Sequence, residues 1–337
     1  MSQTCAFVRL IYPDRRFQME RRRFSMIRFL AALAVLTAPV TLPAWAQQSQ
    51  GTDITNAIFK NRSGDCADYI GDYTATVEDI QKQTKYQSQV KIVADDETCT
   101  IASNGTPNHD FNGATARFAN DFKPLVSEFQ VPRNPQKAAK TTPLGQRAYN
   151  AVLFNGVPVD LLSAGCYRPN GPRADKNGNV LAGCTARDPW LIDPPSYDKY
   201  FGVDLHNAHT QPDGRYHYHS NPNALFVDRE FTEPSPVIGF ASDGFPIFGS
   251  IFKDDSGKIR AAVSGYELKT QDRPAPPNGP GGKPDGTYID DYTFTGNGDL
   301  DECNGMTVDG QYGYYITSTY PWIMNCYAGT PNPSFQK

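Results

Sequence analysis

Histidine is concentrated in one short segment of this chain. Of the five histidines in 337 residues, four lie close together: His206, His209, His217 and His219. His217 and His219 alternate with Tyr216 and Tyr218, so on a β-strand the two imidazoles project from one face, about 6–7 Å apart. That spacing is short enough for both rings to bind one metal ion.

The other two histidines of the segment have a different spacing. His206 and His209 stand three residues apart, which places them on one side of a helical turn. The turn residues Pro212–Gly214 then allow this part to fold back onto the strand. Three or four neutral imidazoles suit a divalent transition metal, with copper or zinc expected, rather than calcium or magnesium. The alternatives are a histidine hydrogen-bond network that stiffens a loop, or a proton relay.

Three carboxylates are the catalytic candidates. Asp243 follows an apolar strand, where it could orient a ligating histidine, and Asp301 and Glu302 could supply a general acid or base. Each also has a structural alternative, in which it only fixes its own turn. The sequence contains no nucleophile elbow, phosphate-binding loop or dinucleotide fingerprint. Whether the protein is an enzyme therefore stays open.

Six cysteines remain once the first 46 residues are set aside, and six allow fifteen pairings. They fall into three couples that are local in sequence, which predicts the disulfides Cys66–Cys99, Cys166–Cys184 and Cys303–Cys326. Each bridge would stabilise the fold by about 3 kcal/mol through loop closure.

The remaining composition predicts a mainly β protein. The chain contains 28 glycines and 27 prolines, and 12% of its residues are aromatic, a composition typical of many strands joined by turns. Short helices are expected only near Glu78–Gln83 and Ser196–Phe201. We expect one β-rich domain over residues 64–337, preceded by a flexible lead-in over residues 47–63.

The first 46 residues are typical of a signal peptide. A basic segment, Arg21–Arg28, precedes an apolar run, Phe29–Leu42, and a small-residue cleavage site ends at Ala46. The true start is expected at Met19 or Met26, and Arg21–Phe24 matches the core of a twin-arginine signal, so either that route or the general secretory route is open.

These features predict a periplasmic or secreted protein. The apolar run of the leader is too short to span a membrane stably, and cleavage at Ala46 would remove it. We therefore expect no stable membrane span in the mature chain. The formal net charge of −4 becomes more negative when the arginine-rich leader is removed, which gives no support for nucleic-acid binding.

The histidine segment resembles the YHYH-domain family of exported proteins. The resemblance rests on Asn207–Gly214 followed by Tyr216–His219, and it extends to other ordered motifs over about residues 88–335. These motifs are Ser103–His109, Asn155–Pro158, Ser242–Ile247, Gly279–Gly282, Gly298–Gly305 and Tyr320–Pro331. The resemblance implies a domain rather than a reaction, because the family has no established activity. It also makes His109 a candidate fifth ligand.

One segment departs from the motif. Asp309–Tyr315 echoes Asp213–His219, but Gly313 and Tyr315 stand where the histidines would be. Only the first copy can therefore bind metal through imidazole.

The sequence leaves three kinds of function open. The first is an exported metal-binding domain with no assigned reaction, and the second is a metal-dependent hydrolase or oxidase. The third is a disulfide-braced envelope domain that recognises a protein or glycan through its tyrosines and tryptophans. Four protein ligands would favour metal storage, whereas three ligands and a nearby carboxylate would favour catalysis.

Overall fold

A five-stranded sheet comes first in the chain. The computed structural model describes residues 51–195, 202–230 and 232–337. The sheet has the order β1-β2-β3-β4-β5, with β1 parallel to β2 and the other neighbours antiparallel. Its strands are β1 (Thr52–Asp53), β2 (Gly71–Asp79), β3 (Thr84–Ala94), β4 (Thr98–Ser103) and β5 (Ser127–Pro132). Burial alternates along β3, as expected for a sheet with one face against the core.

The helix predicted at Glu78–Gln83 is wrong. β2 continues to Asp79, and β3 begins at Thr84 after a tight turn in which Gln83 has a φ of 51°. Nine paired residues on each side of this turn form a long hairpin ladder, which outweighs the weak local helical preference. The helix predicted at 196–201 lies outside the described residues.

The second sheet has eight strands and carries the histidine segment at one edge. Its order is β11-β12-β8-β7-β13-β14-β20-β19. The strands are β7 (Ala151–Leu153), β8 (Pro158–Val159), β11 (Ala208–Thr210), β12 (Tyr216–Tyr218), β13 (Val237–Ala241), β14 (Pro246–Phe248), β19 (Gly305–Val308) and β20 (Gln311–Tyr315).

This sheet consists of two similar halves. In each half an inner hairpin, β7-β8 or β13-β14, pairs in parallel with the inner strand of an outer hairpin, β11-β12 or β19-β20. Tyr218 pairs with Val159 in the first half, and Tyr314 pairs with Ile247 in the second. The turns correspond as well, since the inner hairpins turn at Asn-Gly and Asp-Gly and both outer hairpins turn at Asp-Gly. The sequence echo is therefore a structural repeat.

Four two-stranded pairs complete the β-structure of the described residues. They are β9 (Cys166–Tyr167) with β10 (Asn179–Val180), β15 (Ile251–Lys253) with β16 (Ile259–Ala261), β17 (Tyr266–Leu268) with β18 (Tyr292–Phe294), and β6 (Thr142–Pro143) with β21 (Cys326–Tyr327). Single 3₁₀ turns occur at Cys66–Tyr69, Ile289–Asp291 and Pro333–Phe335. The prediction of a mainly β fold is confirmed.

All three predicted disulfides are present. Cys66 is joined to Cys99, Cys166 to Cys184 and Cys303 to Cys326. In the part of the chain that the structure describes, no helix has the length and apolar character needed to cross a membrane.

The two sheets share a hydrophobic core. Ile92 and Ile101 of the first sheet are buried in one cluster with Val152 and Phe240 of the second. The sheets approach closely at Gly156, where an added Cβ atom would lie 2.3 Å from Cβ of Ser103 and where φ is +77°. Glycine is the residue that can occupy this turn, because it has no side chain and tolerates a positive φ.

The segment before the predicted domain is partly packed. Within the predicted lead-in, β1 pairs with β2, and Ile54 is buried in the core. Apolar side chains such as Ile54 attach this stretch to the sheet. The signal peptide predicted over residues 1–46 and the alternative starts at Met19 and Met26 lie outside the described residues.

Candidate metal centre

The outer hairpin of the first half brings three histidines together. β11 and β12 pair antiparallel, with His209 directly opposite His217. Because directly opposed residues share a face, and because His219 lies two residues beyond His217, all three rings project to the same side. His217 and His219 are buried, and His209 is half-buried.

The three rings converge through their Nε2 atoms. Nε2 of His219 lies 3.0 Å from Nε2 of His217 and 3.0 Å from Nε2 of His209. The ring centroids form a nearly equilateral triangle with sides of 4.7, 4.8 and 4.9 Å, and the rings are steeply inclined to one another. We call these three residues the histidine triad. The triad could hold a metal ion.

The contact behind the His217 ring favours the metal-binding tautomer of that residue. Nδ1 of His217 lies 3.3 Å from the carbonyl oxygen of Arg215. A carbonyl only accepts hydrogen bonds, so Nδ1 carries the proton and Nε2 presents its lone pair. Nδ1 of His219 is buried and has no hydrogen-bond partner among the described residues. Burial, followed by the neighbouring imidazoles, lowers the pKa of both rings well below the usual value, so they stay neutral.

Two Nε2 lone pairs that face each other at 3.0 Å repel unless a proton or a metal ion lies between them. A tetrahedral zinc ion with Zn–N bonds of about 2.0–2.1 Å separates its nitrogen ligands by about 3.3 Å, and a square-planar copper ion separates adjacent ligands by about 2.9 Å. The two Nε2–Nε2 distances of 3.0 Å lie within this range. Three protein ligands leave at least one coordination position for water or another small ligand.

The structure places His206 and His109 apart from the triad. The predicted helical turn is wrong: His206 lies in a turn that ends at Asn207, where φ is 55°, whereas His209 lies in strand β11. His206 instead stacks on His109, with ring centroids 3.6 Å apart, and its Nδ1 donates to the carbonyl of Pro222 over 2.7 Å. The five histidines therefore form a triad and a separate pair.

The tyrosines of the motif face away from the triad, as their alternation predicts. The Tyr218 hydroxyl lies 2.7 Å from Nε2 of His109 and accepts a hydrogen bond of 2.8 Å from Nδ2 of Asn155. Nδ1 of His109 donates to the carbonyl of Asp110, so Nε2 accepts from Tyr218. Tyr218 thus ties the histidine strand to the turn of the inner hairpin.

Replacing Tyr218 with phenylalanine tests this tie. We expect Tyr218→Phe to lower the free energy of unfolding by about 2 kcal/mol, because it leaves the buried polar atoms of His109 and Asn155 without their partner. Urea denaturation monitored by tryptophan fluorescence measures the change. A loss below about 0.5 kcal/mol would contradict the assigned network.

The second half of the sheet repeats the tyrosine contacts. The Tyr314 hydroxyl donates to Oδ2 of Asp243 over 2.6 Å, and Tyr314 and Asp243 occupy the positions of Tyr218 and Asn155. Oδ2 of Asp243 also accepts from the amide of Gly329. Burial raises the pKa of Asp243, and the hydrogen bond from Tyr314 opposes that rise. Asp243 therefore holds the turn of an inner hairpin.

Asp301 has the same kind of structural role. The Tyr312 hydroxyl donates to Oδ2 of Asp301 over 2.9 Å, just as Tyr216 donates to Asp204 over 2.8 Å in the first half. Glu302 accepts from the Thr141 hydroxyl over 3.3 Å, and Asp301 and Glu302 line a cleft of about 360 Å³. The hydrogen bonds described for these carboxylates reach none of the triad histidines.

Asp160 stands in none of the sequence motifs, although the strand before it pairs with the histidine strand β12. Asp160 follows β8 directly and is buried, and its Oδ2 accepts from Gln211 over 2.9 Å and from the ammonium of Lys337. Burial raises the pKa of Asp160, and Lys337 opposes that rise. The only sequence signal was the position of Asp160 after an apolar strand, which many aspartates share.

Comparison with known proteins gives a family and no characterised relative. No curated protein and no solved structure matches the chain. A family model described as "YHYH protein" matches residues 128–329, which is more than half of the chain and includes the triad and both halves of the large sheet. The repeated hairpins and the histidines between them are thus parts of one matched region, and the chain belongs to the YHYH protein family.

Proposed function

We propose that this chain is an exported metal-binding domain in which His209, His217 and His219 hold one divalent transition metal, copper or zinc. The convergence of three Nε2 atoms, two pairs of them 3.0 Å apart, carries the proposal. Two of the rings are buried and neutral, which is the form that ligates.

The open coordination position favours a second candidate function. Stored metal is usually enclosed by four protein ligands, whereas a three-histidine site that keeps a water is typical of metal-dependent hydrolysis. With copper, the same open position would suit an oxidative reaction. Export is supported by the three disulfides, since such bridges persist in oxidising compartments.

Metal titration of single-histidine variants tests the proposal. The protein is first dialysed against a chelator and then titrated with Zn²⁺ or Cu²⁺ in competition with a chromophoric chelator. We expect one ion per wild-type chain and a loss of affinity of about 100-fold or more in His217→Ala and in His219→Ala, because each removes one of three ligands.

His206→Ala is the matched control, because it removes an imidazole from the same segment but outside the triad. We expect its affinity to stay within about threefold of wild type. Near-ultraviolet circular dichroism checks that each variant is folded. A wild-type protein that binds no ion, or His217→Ala binding as tightly as wild type, would refute the assigned ligands.

A further inference from the structure

We infer that Asp160 belongs to the metal centre, where its Oδ1 atom accepts a hydrogen bond from the non-protein ligand, such as water, that completes the coordination of the metal. This inference rests on the proposed function. Asp160 would be a positioning residue, because it acts on the bound ligand and not on the metal directly.

Strand register places Asp160 on the side of the triad. Val159 pairs with Tyr218, and the amide of Asp160 donates to the carbonyl of Tyr218 over 2.9 Å. Since side chains alternate along both strands, Asp160 projects to the same face as His217 and His219.

The two oxygens of this carboxylate differ. Oδ2 is held by Nε2 of Gln211 and by the ammonium of Lys337. Gln211 lies two residues beyond His209, so this amide also comes from the triad side of the hairpin. Oδ1 is buried and has no hydrogen-bond partner among the described residues, although the side chain is only 7% exposed. A buried oxygen without a donor is costly, and a bound water would supply the donor.

The distance pattern fits a contact through a bound ligand. The three Nε2 atoms lie within 4.8 Å of one another, and no carboxylate oxygen of the described residues joins that set. Asp160 is therefore set back from the coordination sphere.

The half of the sheet that lacks histidines also lacks this carboxylate. Asp160 corresponds to Phe248, because Asn155–Asp160 aligns with Asp243–Phe248 at the paired strands. Phe248 stacks on Tyr315, which takes the place of His219, with ring centroids 4.9 Å apart.

The other positions of the triad change in the same way. Met306 replaces His209, and Gly313 replaces His217. An added Cβ atom at Gly313 would lie 2.5 Å from the Phe248 ring. The three imidazoles and the carboxylate are thus present together in one half and absent together in the other, which is the pattern expected of members of one site.

Azide binding to the Co²⁺-loaded protein tests the inference. Azide is an anion without a proton to donate, so a carboxylate beside the open position disfavours it. We expect Asp160→Asn to bind azide about fivefold or more tightly than wild type, and Lys337→Met to bind it more weakly, because the carboxylate then loses its compensating charge. Visible absorption of the cobalt ion measures both, and chelator competition should show a Co²⁺ affinity about tenfold lower in Asp160→Asn.

Asp204→Asn is the matched control, since Asp204 is a buried carboxylate on the tyrosine side of the same hairpin. We expect its azide affinity to equal that of wild type. Azide affinities that agree within twofold among wild type, Asp160→Asn and Lys337→Met would overturn the role of Asp160 while leaving the metal site intact. If Asp160→Asn does not fold, Lys337→Met alone decides. A wild-type protein that takes up no Co²⁺ refutes the proposed function and this inference with it.

Discussion

Zinc at about a thousandfold excess over its dissociation constant is expected to raise the thermal unfolding midpoint of the wild-type protein by about 10 °C. A ligand that binds only the folded state at that excess stabilises it by about 4 kcal/mol. In a domain of this size each kcal/mol raises the midpoint by about 2–4 °C. The unfolded chain does not hold His209, His217 and His219 at one point, so zinc binds the folded state much more tightly than the unfolded state.

Scanning calorimetry at a fixed scan rate measures this shift. In His219→Ala we expect the zinc-dependent shift to disappear, and in His206→Ala we expect it to persist. Magnesium, which prefers oxygen ligands, should leave the wild-type midpoint unchanged. An equal shift in wild type and His219→Ala would show that zinc binds elsewhere.

Acid is expected to destabilise the metal-free protein strongly. Burial and then the His206 charge lower the pKa of His109 to about 3, and burial and the neighbouring imidazoles lower the pKa of His217 and His219. In the unfolded chain all three titrate near pH 6.5. Below that pH the unfolded state binds more protons, so stability is complete above about pH 6.5 and is lost as the pH falls.

From pH 7 to pH 5 His109 contributes a loss of about 2 kcal/mol, and His217 and His219 add losses of the same sign. The carboxyls of Asp160, Asp204 and Asp243 act in the opposite direction, because burial raises their pKa and the folded state gains protons first as the pH falls.

His109→Gln separates the two contributions, since the carboxyls are common to both proteins. Urea denaturation at pH 7 and pH 5 should show a loss of stability that is about 2 kcal/mol smaller in His109→Gln than in wild type. His109 is the residue to change because its ring lies outside the triad. Equal losses in the two proteins would mean that His109 takes up its proton in the folded state.

Local patterns in the sequence predicted much of this site. Alternation alone placed His217 and His219 on one face and the tyrosines on the other. Sequence-local couples predicted the three disulfides, because short loops close at the lowest entropic cost. Strand register is not readable from the sequence, so the three-residue spacing of His206 and His209 predicts a helical turn and gives no sign that His209 pairs with His217.

Asp160 shows why the rest of the site was not predictable. One parallel pairing between β8 and β12 brings Asp160 next to the histidine strand, and the intervening chain carries no periodic signal of that pairing. The carboxylates that stood in recognisable motifs, Asp243 and Asp301, instead hold tyrosine hydroxyls. A short motif indicates that a residue type is needed at that position. It does not tell whether the residue is needed to fix a turn or to take part in a functional site.

The two halves of the large sheet share one strand arrangement, but only one half carries the histidine triad. The Asp309–Tyr315 copy builds the same hairpin on glycine and aromatic packing that Asp213–His219 builds around imidazoles. The backbone plan therefore tolerates the exchange of three imidazoles for a methionine, a glycine and a tyrosine. A chain that carries its own histidine-free duplicate has an internal template, from which the minimal scaffold of the histidine-bearing copy can be designed.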